Sequence, residues 1–195
     1  MRGTLELMRT VYIGMGGNLG SSAGPPESTL AAAALRLESL GHVVRRSSLY
    51  STEPVGYSAQ PRFVNAVVAL ETELEPHTLL EGLLAIELEF GRDRSAGVVN
   101  GPRTLDLDIL LFGDVVLSEP GLEIPHPRMA ERAFVVVPLN EIAPPNLDAG
   151  CGRTVSQLLE SLFPEPGSKI DAVVKVQSGF WRAGADGDAF CSGES

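Results

Sequence analysis

The sequence predicts an α+β domain: a mainly antiparallel sheet with helices packed on it, in the ferredoxin-like, split βαβ arrangement. Three observations carry that expectation. Apolar segments of strand and helix length follow one another in the order β-α-β-β-α-β. The breaks between them hold Gly, Pro, Asn and Ser, the residues that turns demand. And 195 residues at 44% hydrophobic content suffice for one well-packed domain.

The elements follow in order. Val11 to Met15 reads as a short buried strand, ended by a turn at Gly16-Gly17-Asn18-Leu19-Gly20. A helix is predicted from Pro26 to Leu40, closed by Gly41. His42 to Tyr50 reads as one strand, and Ser51 to Pro61 as a loop. Phe63 to Glu73 alternates as a third strand. Pro76, at a first-turn position, opens a second helix that stops at Gly91. A polar loop from Arg92 to Arg103 leads into a fourth strand, Thr104 to Phe112, and Gly113-Asp114 turns the chain into a fifth, Val115 to Ser118. Short helices are expected at Met129 to Val136 and Val155 to Leu162. Residues 1–9 form an N-terminal extension. From Pro164 onward the composition turns Gly-, Ser- and Asp-rich, with one apolar patch at Ile170 to Val176 and a lone Trp181, and 164–195 reads as a weakly packed tail.

A formal net charge of -10 argues against nucleic acid or an anionic membrane as partner, because such surfaces require a basic stripe. The lysines are only Lys169 and Lys175, so any phosphate must be handled by arginine. Arg92, Arg94, Arg103, Arg128 and Arg132 cluster in one stretch, supplying planar forks matched to phosphate oxygens. A coding bias toward Arg explains the total but not the clustering. Cys151 and Cys191 are isolated, which fits a reduced cytoplasm and neither a disulfide framework nor zinc. No apolar stretch reaches membrane-spanning length, and Met1 to Thr10 lacks the core of a signal peptide.

The chemistry concentrates in Gly101-Pro102-Arg103-Thr104-Leu105-Asp106-Leu107-Asp108. A strand's period of two puts Asp106 and Asp108 on one face and Leu105, Leu107 and Ile109 on the other. Carboxylates about 6.6 Å apart repel by roughly 2.5 kcal/mol at an effective dielectric near 20, so a partly buried pair calls for a cation. A solvated strand face is the alternative, and the following Leu110-Leu111-Phe112 argues against it. Oxygen ligands without His or Cys favour Mg²⁺, and two such ions beside guanidiniums suit a polyphosphate. On a helical wheel Glu87 falls inside the apolar arc, either paired with a nearby Arg or serving a ligand. Asn65 shares a strand face with Phe63 and Val67, where it could read a heterocycle's edge or close the preceding loop. His126 is fixed between Pro125 and Pro127 with no task that spacing alone can name. The cluster from Gly14 to Gly20 is not a nucleotide loop, since Leu19 stands where G-x-G-x-x-G needs its third glycine. A nucleotidyltransferase with paired Asp, or a ferredoxin-like binding module, are the competing classes. Acidic charge and the lack of an aromatic RNA motif weigh against an RNA-binding module.

Together, Gly16-Gly17-Asn18-Leu19, Ser51-Thr52-Glu53-Pro54-Val55-Gly56, Phe63-Val64-Asn65-Ala66, Ile86 to Arg92, Gly101 to Leu111 and Pro125-His126-Pro127-Arg128 resemble the 6-hydroxymethyl-7,8-dihydropterin pyrophosphokinase family, over Val11 to Phe163. The resemblance implies a pyrophosphokinase domain at 10–163 that moves the β,γ-pyrophosphoryl group of ATP to the pterin hydroxymethyl oxygen, releasing AMP, in folate biosynthesis. It implies that Asp106 and Asp108 hold two Mg²⁺ ions and that Arg92 and Arg103 stabilise the transferring group. Glu87, Arg94, Ile109, His126 and Arg132 would line the ATP side. Phe63 and Phe134 would sandwich the pterin, with Asn65 and the backbone around Thr52 and Val55 reading its polar edge. The expected partners are these two small molecules, and the expected state is a monomer. Ser95, Val99 and Asn100 depart from the family's usual basic or aromatic loop residues, which leaves a catalytically impaired relative as the alternative.

Overall fold

A computed structural model describes residues 8–56, 59–94, 101–163, 173–182 and 184–185. The strands are β1 (Arg9–Gly17), β2 (His42–Arg46), β3 (Leu49–Thr52), β4 (Phe63–Thr72), β5 (Asp106–Phe112), β6 (Leu117–Glu119), β7 (Leu122–Ile124), β8 (Val173–Val176) and β9 (Gly184–Ala185). The helices are α1 (Pro26–Arg36), α2 (Pro76–Glu89), α3 (Ala133–Ile142) and α4 (Val155–Leu162). The main sheet runs β5-β1-β4-β2-β9, and β3 continues along β4 beyond β2 and carries β8 on its far side. Every pairing is antiparallel. β4 thus inserts between β1 and β2, the two ends of the first βαβ unit, which is the split arrangement expected from element order.

Because β4 is central and covered on both faces, it is buried along nearly its whole length. On one face Val11, Ile13 and Met15 of β1 and Val64, Ala66, Val68 and Leu70 of β4 meet α1, the 3₁₀ turn that follows it and α2 through Leu30, Leu37, Leu79 and Leu83. These four leucines are fully buried, each worth about 1.5–3 kcal/mol relative to exposure. On the other face Tyr12, Val67, Ala69, Leu110 and Leu111 pack under α3 and α4 through Val136, Leu139 and Leu158.

Several boundaries differ from the sequence reading for identifiable reasons. β1 runs on through Gly16 and Gly17, because both still pair with β4, so the turn begins only at Asn18. The segment read as one strand from His42 to Tyr50 is β2 plus β3, broken where the register on β4 slips at Ser47 and Ser48. Ser47 keeps the chain attached there: its N–H donates to the Val67 carbonyl and its hydroxyl accepts from the Val67 N–H, both at 2.9 Å. Val115 to Ser118 does not extend the main sheet. Leu117–Glu119 instead forms a separate hairpin with Leu122–Ile124, turned by Gly121 at φ 89°. The helix expected at Met129 to Val136 divides at Arg132, whose extended backbone separates a 3₁₀ turn from the longer α3.

The segment expected to be a loosely packed tail is joined to the sheet where it is described. β8 pairs with β3, β9 pairs with β2, and Trp181 is buried with its indole N–H donated to the Ser47 carbonyl at 2.7 Å. Arg46 lies over the indole at 6.0 Å. A polar junction reinforces this edge. The Glu141 carboxylate of α3 accepts from the Ser48 N–H at 2.8 Å, the Ser48 hydroxyl at 2.7 Å, the Tyr50 hydroxyl at 2.9 Å and Lys175 at 3.2 Å.

Burial alone would push the Glu141 carboxyl up, but the hydrogen bonds from Ser48, Tyr50 and Lys175 outweigh it and hold the group below its ordinary value. A depressed folded-state value contributes stability that is present above the unfolded-state value, about pH 4.3, and lost as pH falls through the folded one. The thermal-denaturation gap between wild type and Glu141→Gln is therefore expected to be wide at neutral pH and to close below about pH 4. A gap independent of pH would show that the charge is not what holds this junction.

Candidate active site

β5 brings the two acids to one face, as its period requires, and a bulge completes the site. Tyr12 pairs with Leu111 but Ile13 with Ile109, so Leu110 is an extra residue. Its carbonyl accepts the His126 N–H at 2.9 Å, which docks the His126 segment beside the strand that carries Asp108. The strand's other face is set by Leu107, whose N–H donates to Glu87 Oε1 at 2.8 Å. Glu87 is 1% exposed and its second oxygen is gripped by Arg94 through both Nε and Nη2. Burial pushes the Glu87 carboxyl up, while the Leu107 N–H and the Arg94 guanidinium pull it down. Glu87 thus lies beneath the acids, bonded to the backbone between them and paired with Arg94.

Asp106 is ringed by guanidiniums: Arg103 Nε at 2.9 Å, Arg92 Nη2 at 3.5 Å and Arg94 Nη2 at 4.0 Å. The Arg103 Nε–H is not aimed at the carboxylate despite the distance. Arg92 Nε, Arg103 Nε and Thr104 Oγ1 are buried polar atoms without a hydrogen-bond partner. Asp108 is pushed up by burial and by the neighbouring Asp106 charge, against the pull of His126, Arg132 and Arg103. Guanidinium donors left unsatisfied beside a half-screened carboxylate pair are what an anion-and-cation ligand would complete.

Arg103 is fixed at its backbone. Its N–H donates to Asn18 Oδ1 at 2.8 Å and its carbonyl accepts the N–H groups of Asn18 and Leu19 at 2.9 and 3.0 Å. The guanidinium lies over the Phe63 ring at 4.7 Å, while that of Arg132 lies over Phe134 at 5.6 Å. His126 has its tautomer set by the turn: the Arg128 N–H donates to Nδ1 at 3.1 Å, which leaves Nε2 to carry the proton. Burial pushes the imidazole down, toward its neutral form, against the pull of Asp108.

Next to the acids opens a cleft of about 300 Å³ walled by Thr52, Val55, Phe63, Asn65 and Phe134. A smaller recess over Asp106 and Asp108 shares Asn65, Arg103, Arg132 and Phe134 with it, so the two are continuous. Asn65 donates to the Thr52 hydroxyl at 2.7 Å, which orients its amide. Val55 stands 61% exposed at the lip. Arg92, Arg94 and His126 flank the acids without walling the cleft. Ile109 is not brought to the site by its side chain, which lies on the opposite face in the core under α1 and α2. Ser95, Val99 and Asn100 lie outside the described residues.

Residues not foreseen complete the site. Gly14 and Gly16 form the floor of the recess, and a Cβ on Gly16 would fall 2.8 Å from Asn65 Oδ1, so the glycines keep this face clear. Their signal was the alternation of Gly14 and Gly16 within a strand, hidden by reading Gly16 as a turn. Asn18, Arg128 and Val173 are the others; Asn18 and Arg128 belonged to runs already singled out for the site, and Val173 to the apolar patch of the segment read as a tail.

The α+β scaffold thus presents paired acids and clustered arginines beside an aromatic-walled cleft. Residues 12–144 match the family model for 7,8-dihydro-6-hydroxymethylpterin-pyrophosphokinase (HPPK). The 2-amino-4-hydroxy-6-hydroxymethyldihydropteridine pyrophosphokinase of Pseudomonas aeruginosa is 46% identical over 155 residues, 78% of this chain and 91% of that one. Its counterpart from Methylorubrum extorquens is 41% identical over 168 residues, 84% and 100% of the two chains. A solved structure of Plasmodium falciparum HPPK-DHPS aligns with a TM-score of 0.62 at 15% identity, covering 81% of this chain and 43% of that one, a likeness of fold. The chain belongs to the HPPK family, the pterin pyrophosphokinases of folate biosynthesis.

Replacing Glu87 by Leu leaves the buried Leu107 N–H without its acceptor, an expected loss of about 1–3 kcal/mol by urea unfolding. Catalytic rate should fall with it, since the strand between the two acids loses its anchor. A variant as stable as wild type would show that Glu87 does not position β5.

Proposed function

We propose that this chain transfers the β,γ-pyrophosphoryl group of ATP to the hydroxymethyl oxygen of 6-hydroxymethyl-7,8-dihydropterin, with Mg²⁺ held by Asp106 and Asp108. The observation that carries this reading is the continuity of an acid-and-arginine recess with an aromatic-walled cleft, joined through Arg103, Arg132, Asn65 and Phe134. A polyphosphate on one side and a flat heterocycle on the other would meet there.

The donor set suits Mg²⁺: two carboxylates supply oxygen only, and no cluster of three or more His, Cys, Asp or Glu forms an all-protein cage among the described residues. When bound, two such ions neutralise polyphosphate oxygens and align the attacking and leaving groups. Arg92 and Arg103, with their unsatisfied Nε–H groups, would turn from Asp106 to phosphate oxygens and stabilise the charge of the transferring group. Arg132 and the protonated Nε2 of His126 would donate to the same triphosphate from the α3 side, and Arg94, half exposed, would reach it from the end of α2. Phe63 and Phe134 would hold the pterin faces, with the Asn65 amide and the backbone near Thr52 and Val55 on its polar edge.

The hydroxymethyl oxygen bonds to the β-phosphorus, the bond from that phosphorus to the α,β-bridging oxygen breaks, AMP leaves with the electron pair, and the hydroxyl proton passes to solvent. Positioning and charge neutralisation supply the rate. A monomer is the expected state, and the isolated cysteines suit a cytoplasmic setting.

Purified protein with ATP, Mg²⁺ and the reduced hydroxymethylpterin is expected to form AMP and the pterin diphosphate. Asp106→Ala or Asp108→Ala should lower the rate at least about a hundredfold. Release of inorganic pyrophosphate would indicate nucleotidyl transfer instead. ADP formation, or ATP consumption without the pterin, would also refute the assignment.

A further inference from the structure

The family match ends at residue 144, yet the cleft does not. Val173, the first residue of β8, lines it. Thr52 of β3 pairs with Phe63 of β4 on one side and with Val173 on the other. Residues directly opposite in antiparallel strands share a face, so Phe63, Thr52 and Val173 form one row across three strands. The Thr52 hydroxyl accepts from Asn65, so this is the face that bears the polar readout. Val173 is only 6% exposed although β8 is the outermost strand here, whereas the adjacent Val174, on the reverse face, is 48% exposed.

We propose that Val173 positions the pterin and helps to set its specificity, as the outer member of the row Phe63, Thr52, Val173 against which the bicyclic ring is held. The segment from Val173 to Trp181 is fastened to the sheet in a way that delivers this side chain. The next row, Asn65, Tyr50 and Lys175, is capped by Glu141 of α3, which binds both Tyr50 and Lys175. Trp181 pins the far end through its bond to the Ser47 carbonyl. A β-branched valine has one stiff χ1 setting, so its two methyl groups form a fixed wall rather than a yielding one. A wall of that kind limits the width available to the ring and to any substituent on the ring edge that faces it.

The inference rests on the pyrophosphokinase reading and is tested on the full chain by steady-state kinetics with Val173→Phe and Val173→Ala. Val173→Phe overfills the wall and is expected to raise the pterin KM about tenfold, with the ATP KM changed less than about twofold. Val173→Ala should instead accept dihydropterins with bulkier ring substituents that the wild type rejects. A merely structural role would lower thermal stability and kcat without separating the two KM values. Trp181 is the chain's single tryptophan, so its emission reports directly whether the segment remains docked in each variant. Should Val173→Phe undock it, Val173→Ile decides on the same readout, with an expected rise of about threefold. An unchanged pterin KM and unaltered substituent tolerance with Trp181 docked would overturn the role of Val173 and leave the pyrophosphokinase reading standing. A wild-type chain that binds no dihydropterin and forms no AMP would overturn that reading itself.

Discussion

Two carboxylates projecting from one face of a half-buried strand repel each other, and the organisation around Asp106 and Asp108 answers that repulsion. Arg92, Arg94 and Arg103 converge on Asp106, and Arg132 and His126 act electrostatically on Asp108. Arg92, Arg94 and Arg103 come from the segment between α2 and β5 and Arg132 from the approach to α3, so the need for positive charge ties these two parts of the chain together across the strand. A single acid on a solvent-facing strand would require none of this. The pair also needs its spacing fixed, and that falls to Glu87, which binds the N–H of the one residue between them.

The same cations give the site its two-part character. Arg103 is shared: its charge lies beside Asp106 and its plane lies on Phe63. Arginine can do both because its guanidinium is a flat, weakly hydrated cation, whereas a lysine ammonium in that position would offer a point charge with no face to stack. The near absence of lysine from the chain therefore has a local counterpart in geometry. Rigidity comes from behind, where Asn18 holds the Arg103 backbone at both its N–H and its carbonyl.

Much of this was legible in the sequence wherever a period or a turn residue acts locally. The face shared by Asp106 and Asp108 follows from strand geometry, Pro76 and Gly91 bracket α2, and the element order gave the split βαβ sheet. What was not legible depends on pairing between distant segments. Gly16 and Gly17 look like a turn until β4 is known to run beside them. His42 to Tyr50 looks like one strand until the slip at Ser47 is seen against Val67. Trp181 and Val173 lie in a Gly- and Ser-rich stretch whose composition suggests little packing, and only the edge offered by β3 makes them part of the core. Glu87 was visible as an acid in an apolar arc, but its bond to the Leu107 N–H depends on β5 lying beside α2. The family resemblance supplied Ile109 as a site residue, and its side chain points into the opposite core.

The bulge at Leu110 has a consequence for how this strand can vary. Before it, even-numbered side chains face the cleft; after it, the parity inverts, and Leu111 joins Leu110 under α3 while Phe112 passes to the α1 and α2 side. β5 is thus two half-strands in opposite phase, one devoted to chemistry and one to packing, meeting at a single unpaired residue. Loss of that residue would restore one phase with the acids still over the recess and Leu111 still under α3, and would remove instead the carbonyl that accepts the His126 N–H.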